Sequence, residues 1–199
     1  LYVEARRVGE SVAARQFAER AAALNPKLAW ANTALFDLEV KAHDWTGGLD
    51  TLTRLRRNEQ IDRKRFERGR AVLLTAQAQE AEERDADRAL TLAEEAHGLA
   101  PDLVPAADIA GRLLAARGST GKAMQILARN WRLAPHPDIA LAYAFARPGD
   151  APRDRLKRVR ELTQAAPKAR EAALARAVAA IEAREFHEAR DALAPLIEA

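Results

Sequence analysis

The chain contains no cysteine. Disulfide cross-links and thiolate chemistry are therefore excluded, although the compartment is left open, because disulfide-free proteins occur everywhere. Aromatic residues make up only 5% of the sequence, and β-branched residues are sparse. Strands draw on both kinds, so their scarcity favours helix. No run of 18 apolar residues occurs, so this stretch cannot span a bilayer, and no signal peptide is visible. A surplus of one charge is missing too. The 32 basic residues are nearly matched by 29 acidic ones, leaving a net charge of +3. Nucleic-acid binding needs a clustered basic patch with stacking aromatics. No aromatic interleaving marks such a platform, and no nucleic-acid partner is expected.

What is present is alanine and leucine at helical spacing, and a sentence written twice. Residues 88–101 read RALTLAEEAHGLAP, and residues 122–135 read KAMQILARNWRLAP. Ala89 pairs with Ala123, Leu99 with Leu133 and Pro101 with Pro135, always 34 residues apart. Another helical pattern, 104–117, lies between them. A 34-residue period carrying two helices is the signature of the tetratricopeptide (TPR) repeat. Each pair has an apolar face that it cannot bury alone, and stacking the next pair buries it. The expected fold is an all-α TPR solenoid, a right-handed superhelix of antiparallel helix pairs.

The repeats assign as 1–26 (partial), 27–60, 61–101, 102–135, 136–167 and 168–199, as one solenoid. Gly9 breaks the first, and Ser11 is placed to cap the helix after it. Gly48 and Ala89 occupy the same small packing position but lie 41 residues apart. Seven residues are therefore inserted, best placed around 58–68, and the first helix of the third repeat should be lengthened and bent near Gly69. Pro135 and Pro167 are only 32 apart, so the fifth repeat is compressed around the turn RPGD, 147–150. Gly111 should let its helix approach its partner closely. These irregular junctions, 56–70 and 135–154, are where distinctive function is expected.

No catalytic constellation emerges. His43, His97, His136 and His187 are never three or four apart and join no metal-ligand cluster. Met124 falls on an apolar face and is expected in the core. Ser11 and Ser119 precede helices and read as caps, not nucleophiles. RGSTGKA, 117–123, lacks the spacing of a phosphate loop and follows no strand. The chain is expected to be no enzyme, with no cofactor, no metal and no catalytic residue.

Binding is the better expectation. Concave walls of such repeats are built from the first helices. Counting from their packing positions puts Trp30, Thr33, Asp37, Lys41, Leu74, Asp108 and Arg112 on the wall. That mixture of apolar and charged side chains suits a protein or peptide partner, its identity open, laid along the groove. A groove tryptophan is a hot-spot residue type. Arg56, Arg57, Arg63, Lys64, Arg65 and Arg68 form a basic run around the insertion, suited to an acidic partner or an anionic lipid surface.

Three stretches go further than the period. Residues 17–52 (FAERAAALNPKLAWANTALFDLEVKAHDWTGGLDTL) resemble the HemY-type haem-biosynthesis-associated TPR proteins of proteobacteria. Residues 68–118 and RPGDAPRDRLKRVREL, 147–162, resemble them as well. The resemblance implies a membrane-proximal scaffold, the soluble part of a protein held at the inner membrane by an N-terminal anchor missing here. It implies a role in haem or porphyrin biosynthesis without naming a reaction or any catalytic residue. The alternative is a module that binds a tetrapyrrole or anionic lipid directly.

Overall fold

The computed structural model describes residues 1–7 and 11–197. Among these residues the chain is all helix: α1 (Tyr2–Arg7), α2 (Ser11–Leu24), α3 (Ala29–Lys41), α4 (Trp45–Arg57), α5 (Arg63–Ala81), α6 (Ala86–Leu99), α7 (Val104–Ala116), α8 (Thr120–Leu133), α9 (Pro137–Ala144), α10 (Pro152–Thr163), α11 (Arg170–Glu182) and α12 (Phe186–Ile197). Short turns join the helices, and α1 to α4 and α6 to α12 each pack on their neighbours in succession. This is the all-α TPR-type fold. Gly9 lies outside the described residues, as does the side chain of Ser11. Two compact units divide the chain, Leu1–Gln77 and Ala78–Ala199.

In the first unit, α2 and α3 meet through small residues, with Ala18, Ala22, Ala31, Ala34 and Leu35 buried together. Asp44 caps α4 by accepting the Gly47 N–H at 3.0 Å. The packing of α4 against α5 is set by glycines. A Cβ on Gly48 would meet Leu73 at 3.4 Å, and one on Gly69 would meet Leu52 at 3.1 Å. Gly69 does not end its helix: α5 runs unbroken for 19 residues. The turns around it are held by side-chain amides. Asn32, fully buried, donates to the Pro26 carbonyl at 2.8 Å and to Gln60 Oε1 at 3.1 Å, and its own oxygen accepts from Arg54 Nε at 2.9 Å. Asn58 donates to the same Pro26 carbonyl at 2.7 Å.

In the second unit, α6 to α12 pack in order, and α9 also lies against α7 and α11. Three overlapping layers make its core, with the fully buried Trp131 in the middle one, beside Leu127 and Ile139. Met124 sits half-buried against two of these layers. Gly111 is where the close approach is tightest, because a Cβ there would stand 2.6 Å from the Leu127 side chain. Ser119 occupies the N-cap of α8, but its hydroxyl makes no capping bond; it marks the helix start without satisfying it. The compression of the fifth repeat falls on α9, which has 8 residues where α7 and α11 have 13. At 1.5 Å per residue that helix is shorter by roughly 7 Å.

Candidate binding groove

The groove of the second unit follows from the shortness of α9. Pro137 opens the helix at its first turn, where a missing N–H is harmless. His136 caps it, its Nδ1 accepting the Asp138 N–H at 3.2 Å. Arg158, buried on α10, stops the other end. It donates to the Ala144 carbonyl at 2.6 Å and ion-pairs with Asp150. Burial works against the charge of Arg158 and lowers its pKa. Those two acceptors hold it in place, and with it the tight turn that replaces the rest of the helix.

A helix this short cannot bury everything it carries. DIALAYAF, 138–145, is apolar nearly all round. Ile139, Ala140, Ala142, Tyr143 and Ala144 go inward. Leu141 and Phe145 stay 55% and 49% exposed, and across the dip α11 leaves Val178 at 54%. Between α9 and α11 lies a hollow of about 200 Å³, with Val159 of α10 and Ala179 among its walls and Asp138 and Glu182 among its polar residues. On the other side of α9 a wider hollow of about 570 Å³ is lined by Asp108, Arg112, Ala115, Asp138, Leu141, Ala142 and Phe145. Asp138, Leu141 and Phe145 belong to both, so the two are one surface folded over α9.

The charged groups are already organised. Arg112 grips Glu82 with both terminal nitrogens, at 2.5 and 3.3 Å, and donates from Nε to Asp108 at 2.9 Å. Hydrogen bonding to Glu82 is the main reason its pKa is raised, so Arg112 never loses its charge. Asp108 is pushed above the usual carboxylate range, chiefly by burial, against the opposing pull of Arg112. Arg155 lies over the Phe145 ring, 4.6 Å from its centroid, with Glu182 at 3.6 Å. A cation on an aromatic face also shields part of the ring from water.

The residues expected from sequence divide between the units. Asp108 and Arg112 are brought together in the groove just described. Trp30, Thr33, Asp37 and Lys41 form one exposed stripe of α3 in the first unit. Trp30 is 49% exposed and leans on Tyr2, with ring centroids 5.6 Å apart. Leu74 must be corrected. It is buried at 4%, and Val72, at 48%, is the exposed aliphatic side chain of that segment. Leu74 stands 34 residues before Asp108, but an aliphatic side chain at that position gains about 2 kcal/mol by turning inward. The carboxylate, held by Arg112, does not.

The basic residues Arg56, Arg57, Arg63, Lys64, Arg65 and Arg68 are all exposed. Arg56 and Arg57 end α4, where cations complement the helix dipole. Arg63 and Arg65 open α5, the unfavourable end for a cation, and each has an acid beside it: Glu67 at 2.7 Å and Asp62 at 3.8 Å. Of the histidines, His97 is buried with neither ring nitrogen hydrogen-bonded. His187 meets Asp191 at 2.9 Å, and His43 stacks on Trp45. Among the described residues no group of three or more His, Asp or Glu is placed to hold a metal.

Reasoning from the sequence missed Leu141, Phe145 and Val178. The signal is there in part: these first two fall in the compressed junction 135–154, and a short helix apolar on every side announces more apolar surface than it can bury.

No family model matches the chain, and no curated protein sequence matches it. Among solved structures it is similar to YrrB, described as a TPR protein with an unusual peptide-binding site. That likeness has 17% identity over 87% of each chain and a TM-score of 0.46. It is similar also to TTC0263, a thermophilic TPR protein in Thermus thermophilus, at 22% identity, covering 91% of this chain and 96% of that one, with a TM-score of 0.40.

Proposed function

We propose that this chain is a non-enzymatic protein-interaction scaffold, and that a segment of a partner protein lies in the groove over α9. The observation that carries this reading is the set of three large apolar side chains, Leu141, Phe145 and Val178, left half in water around one hollow between α9 and α11. Contiguous exposed apolar surface rimmed by charge marks an interaction site, and first helices of neighbouring repeats offer a groove suited to a peptide or helix. Asp108 and Arg112 form one charged edge of it. The α3 stripe from Trp30 to Lys41 is a second candidate contact, in the first unit.

The setting is proposed from sequence. The resemblance of 17–52, 68–118 and 147–162 to HemY-type proteins supports a scaffold serving haem or porphyrin biosynthesis at the inner membrane, with the anchor elsewhere in the full-length protein. Among the described residues no helix is long and apolar enough to cross a membrane.

The test is site-specific photocrosslinking in the full-length protein in its own cell, with the crosslinker placed at Leu141 or at Arg65. A discrete protein adduct from position 141 and none from position 65 is the expected result. Adducts to lipid alone, or protein adducts only from position 65, would replace the groove with the basic face as the working surface. A Soret shift on titrating haem, abolished by changing one histidine, would establish the tetrapyrrole-binding alternative.

A further inference from the structure

The two hollows beside α9 carry more carboxylates than usable cations. Asp108, Asp138 and Glu182 line them, and Glu82 adjoins through Arg112. The facing cations are Arg112 and Arg155. Arg112 spends its donors on Glu82 and Asp108. Arg155 is mostly covered, donates to the Asp150 carbonyl at 2.9 Å and covers Phe145 with its flat face. Asp138 is different. Its side chain is 65% exposed and lies beside His136, whose Nδ1 is 3.5 Å away and accepts the Asp138 backbone N–H. Asp138 and Glu82 both add to the raised pKa of Asp108, as like charges facing the same space would.

An incoming carboxylate would find no cation to spare here and several acids to repel it. An incoming lysine or arginine would find Asp138 open beside Leu141 and Phe145. We infer that the occupant of this groove is a basic amphipathic segment of a partner protein, its aliphatic or aromatic side chains seated over α9 and a lysine or arginine reaching Asp138. This rests on the reading of the groove as a partner-binding surface. The preference is local: the chain as a whole carries a net charge of +3, which would draw acidic peptides instead.

Fluorescence anisotropy of this chain with short labelled peptides tests the inference. The peptides share one Leu/Ala amphipathic pattern, and their polar positions hold lysine, glutamine or glutamate. The lysine peptide should bind about tenfold more tightly than the glutamine peptide, an advantage eroded by salt, with the glutamate peptide weakest. Asp138→Asn should erase the lysine advantage while the glutamine peptide still binds. Leu141→Ser should abolish binding of all three. Both side chains are exposed, so the fold should survive, and circular dichroism checks that. Equal or tighter binding of the glutamate peptide, or a lysine advantage that persists in Asp138→Asn, overturns the inference and leaves the groove reading standing. No binding by any peptide overturns the groove reading itself. Sedimentation showing a dimer that Leu141→Ser dissolves would make the occupant a second copy of this chain, and would also overturn the inference.

Discussion

The 34-residue repeat is broken in two places, and the two breaks are resolved differently. Where residues are added, α5 lengthens to 19 residues and the turn before it is sewn down by amides: Asn32, Asn58 and Gln60 bond the 26–27 carbonyls and one another, with Arg54 closing the set. Where residues are missing, α9 shortens to 8 and a single buried arginine, Arg158, terminates it. Added chain brings its own polar groups and can satisfy itself. The short helix leaves its own Leu141 and Phe145, and Val178 of α11, half in water. The groove thus lies over the short helix α9, while the residues before α5 are tied down by hydrogen bonds.

The comparison predicts unequal costs. Arg158→Met should lower unfolding stability by about 3 kcal/mol, because it strands Asp150 and the Ala144 carbonyl inside the protein. Arg54→Met should lose only about 1–2 kcal/mol, since it strands one neutral acceptor, the Asn32 oxygen, while the Asn32 amide nitrogen keeps both its acceptors. Urea denaturation of the two variants decides the matter; equal losses would break the contrast.

The regular and irregular repeats can be set against each other through glycine. Gly111→Ala should cost about 2 kcal/mol, because its Cβ would fall 2.6 Å from Leu127. Gly48→Ala meets Leu73 only at 3.4 Å and should gain a few tenths of a kcal/mol from helix propensity, up to about 1 kcal/mol. A loss in both, read from thermal midpoints, would mean that α4 and α5 are as tightly joined as α7 and α8.

Arg184 follows α11 in the left-handed region, at φ 62°, where Gly118 follows α7 at φ 76°. Both turns carry the same pair of closing bonds, Gly118 N–H to Ala115 and Ser119 N–H to Leu114 in one, Arg184 N–H to Ile181 and Glu185 N–H to Ala180 in the other. Arg184→Gly should stabilise by about 1 kcal/mol, measured by thermal unfolding. No change would mean the arginine side chain offsets its backbone strain.

The smallest effect is on pH dependence. Burial, and secondarily Arg129, holds the His97 imidazole below its usual pKa. Below about pH 6.5 the unfolded chain takes up this proton and the folded chain resists it, so stability falls as pH drops. Above that range both states are neutral and His97 adds no slope. His97→Leu should flatten the urea midpoint between pH 7 and about pH 5.5; an unchanged slope would assign it to other groups.

Much of the fold was legible because repeats advertise themselves. Pro101 and Pro135 marked helix ends, and Gly111 marked a close approach, through local backbone rules that need no knowledge of neighbours. The candidate site was legible only in outline. Asp108 and Arg112 were expected on the wall and lie in the groove, while Leu74, by the same counting, is buried. Counting locates a position on a helix. It does not tell whether the neighbouring surface leaves that position open.

By itself the sequence determined the helices, their period and the places where the period fails, because spacing and turn residues act within a few positions of one another. Only the tertiary structure decided which of many similar apolar residues remain in water. Ile139 and Leu141 sit two apart on one short helix, one fully buried and the other more than half exposed. The difference is set by where the shortened α9 leaves α11 uncovered, a matter of distances between helices and not of the residues themselves.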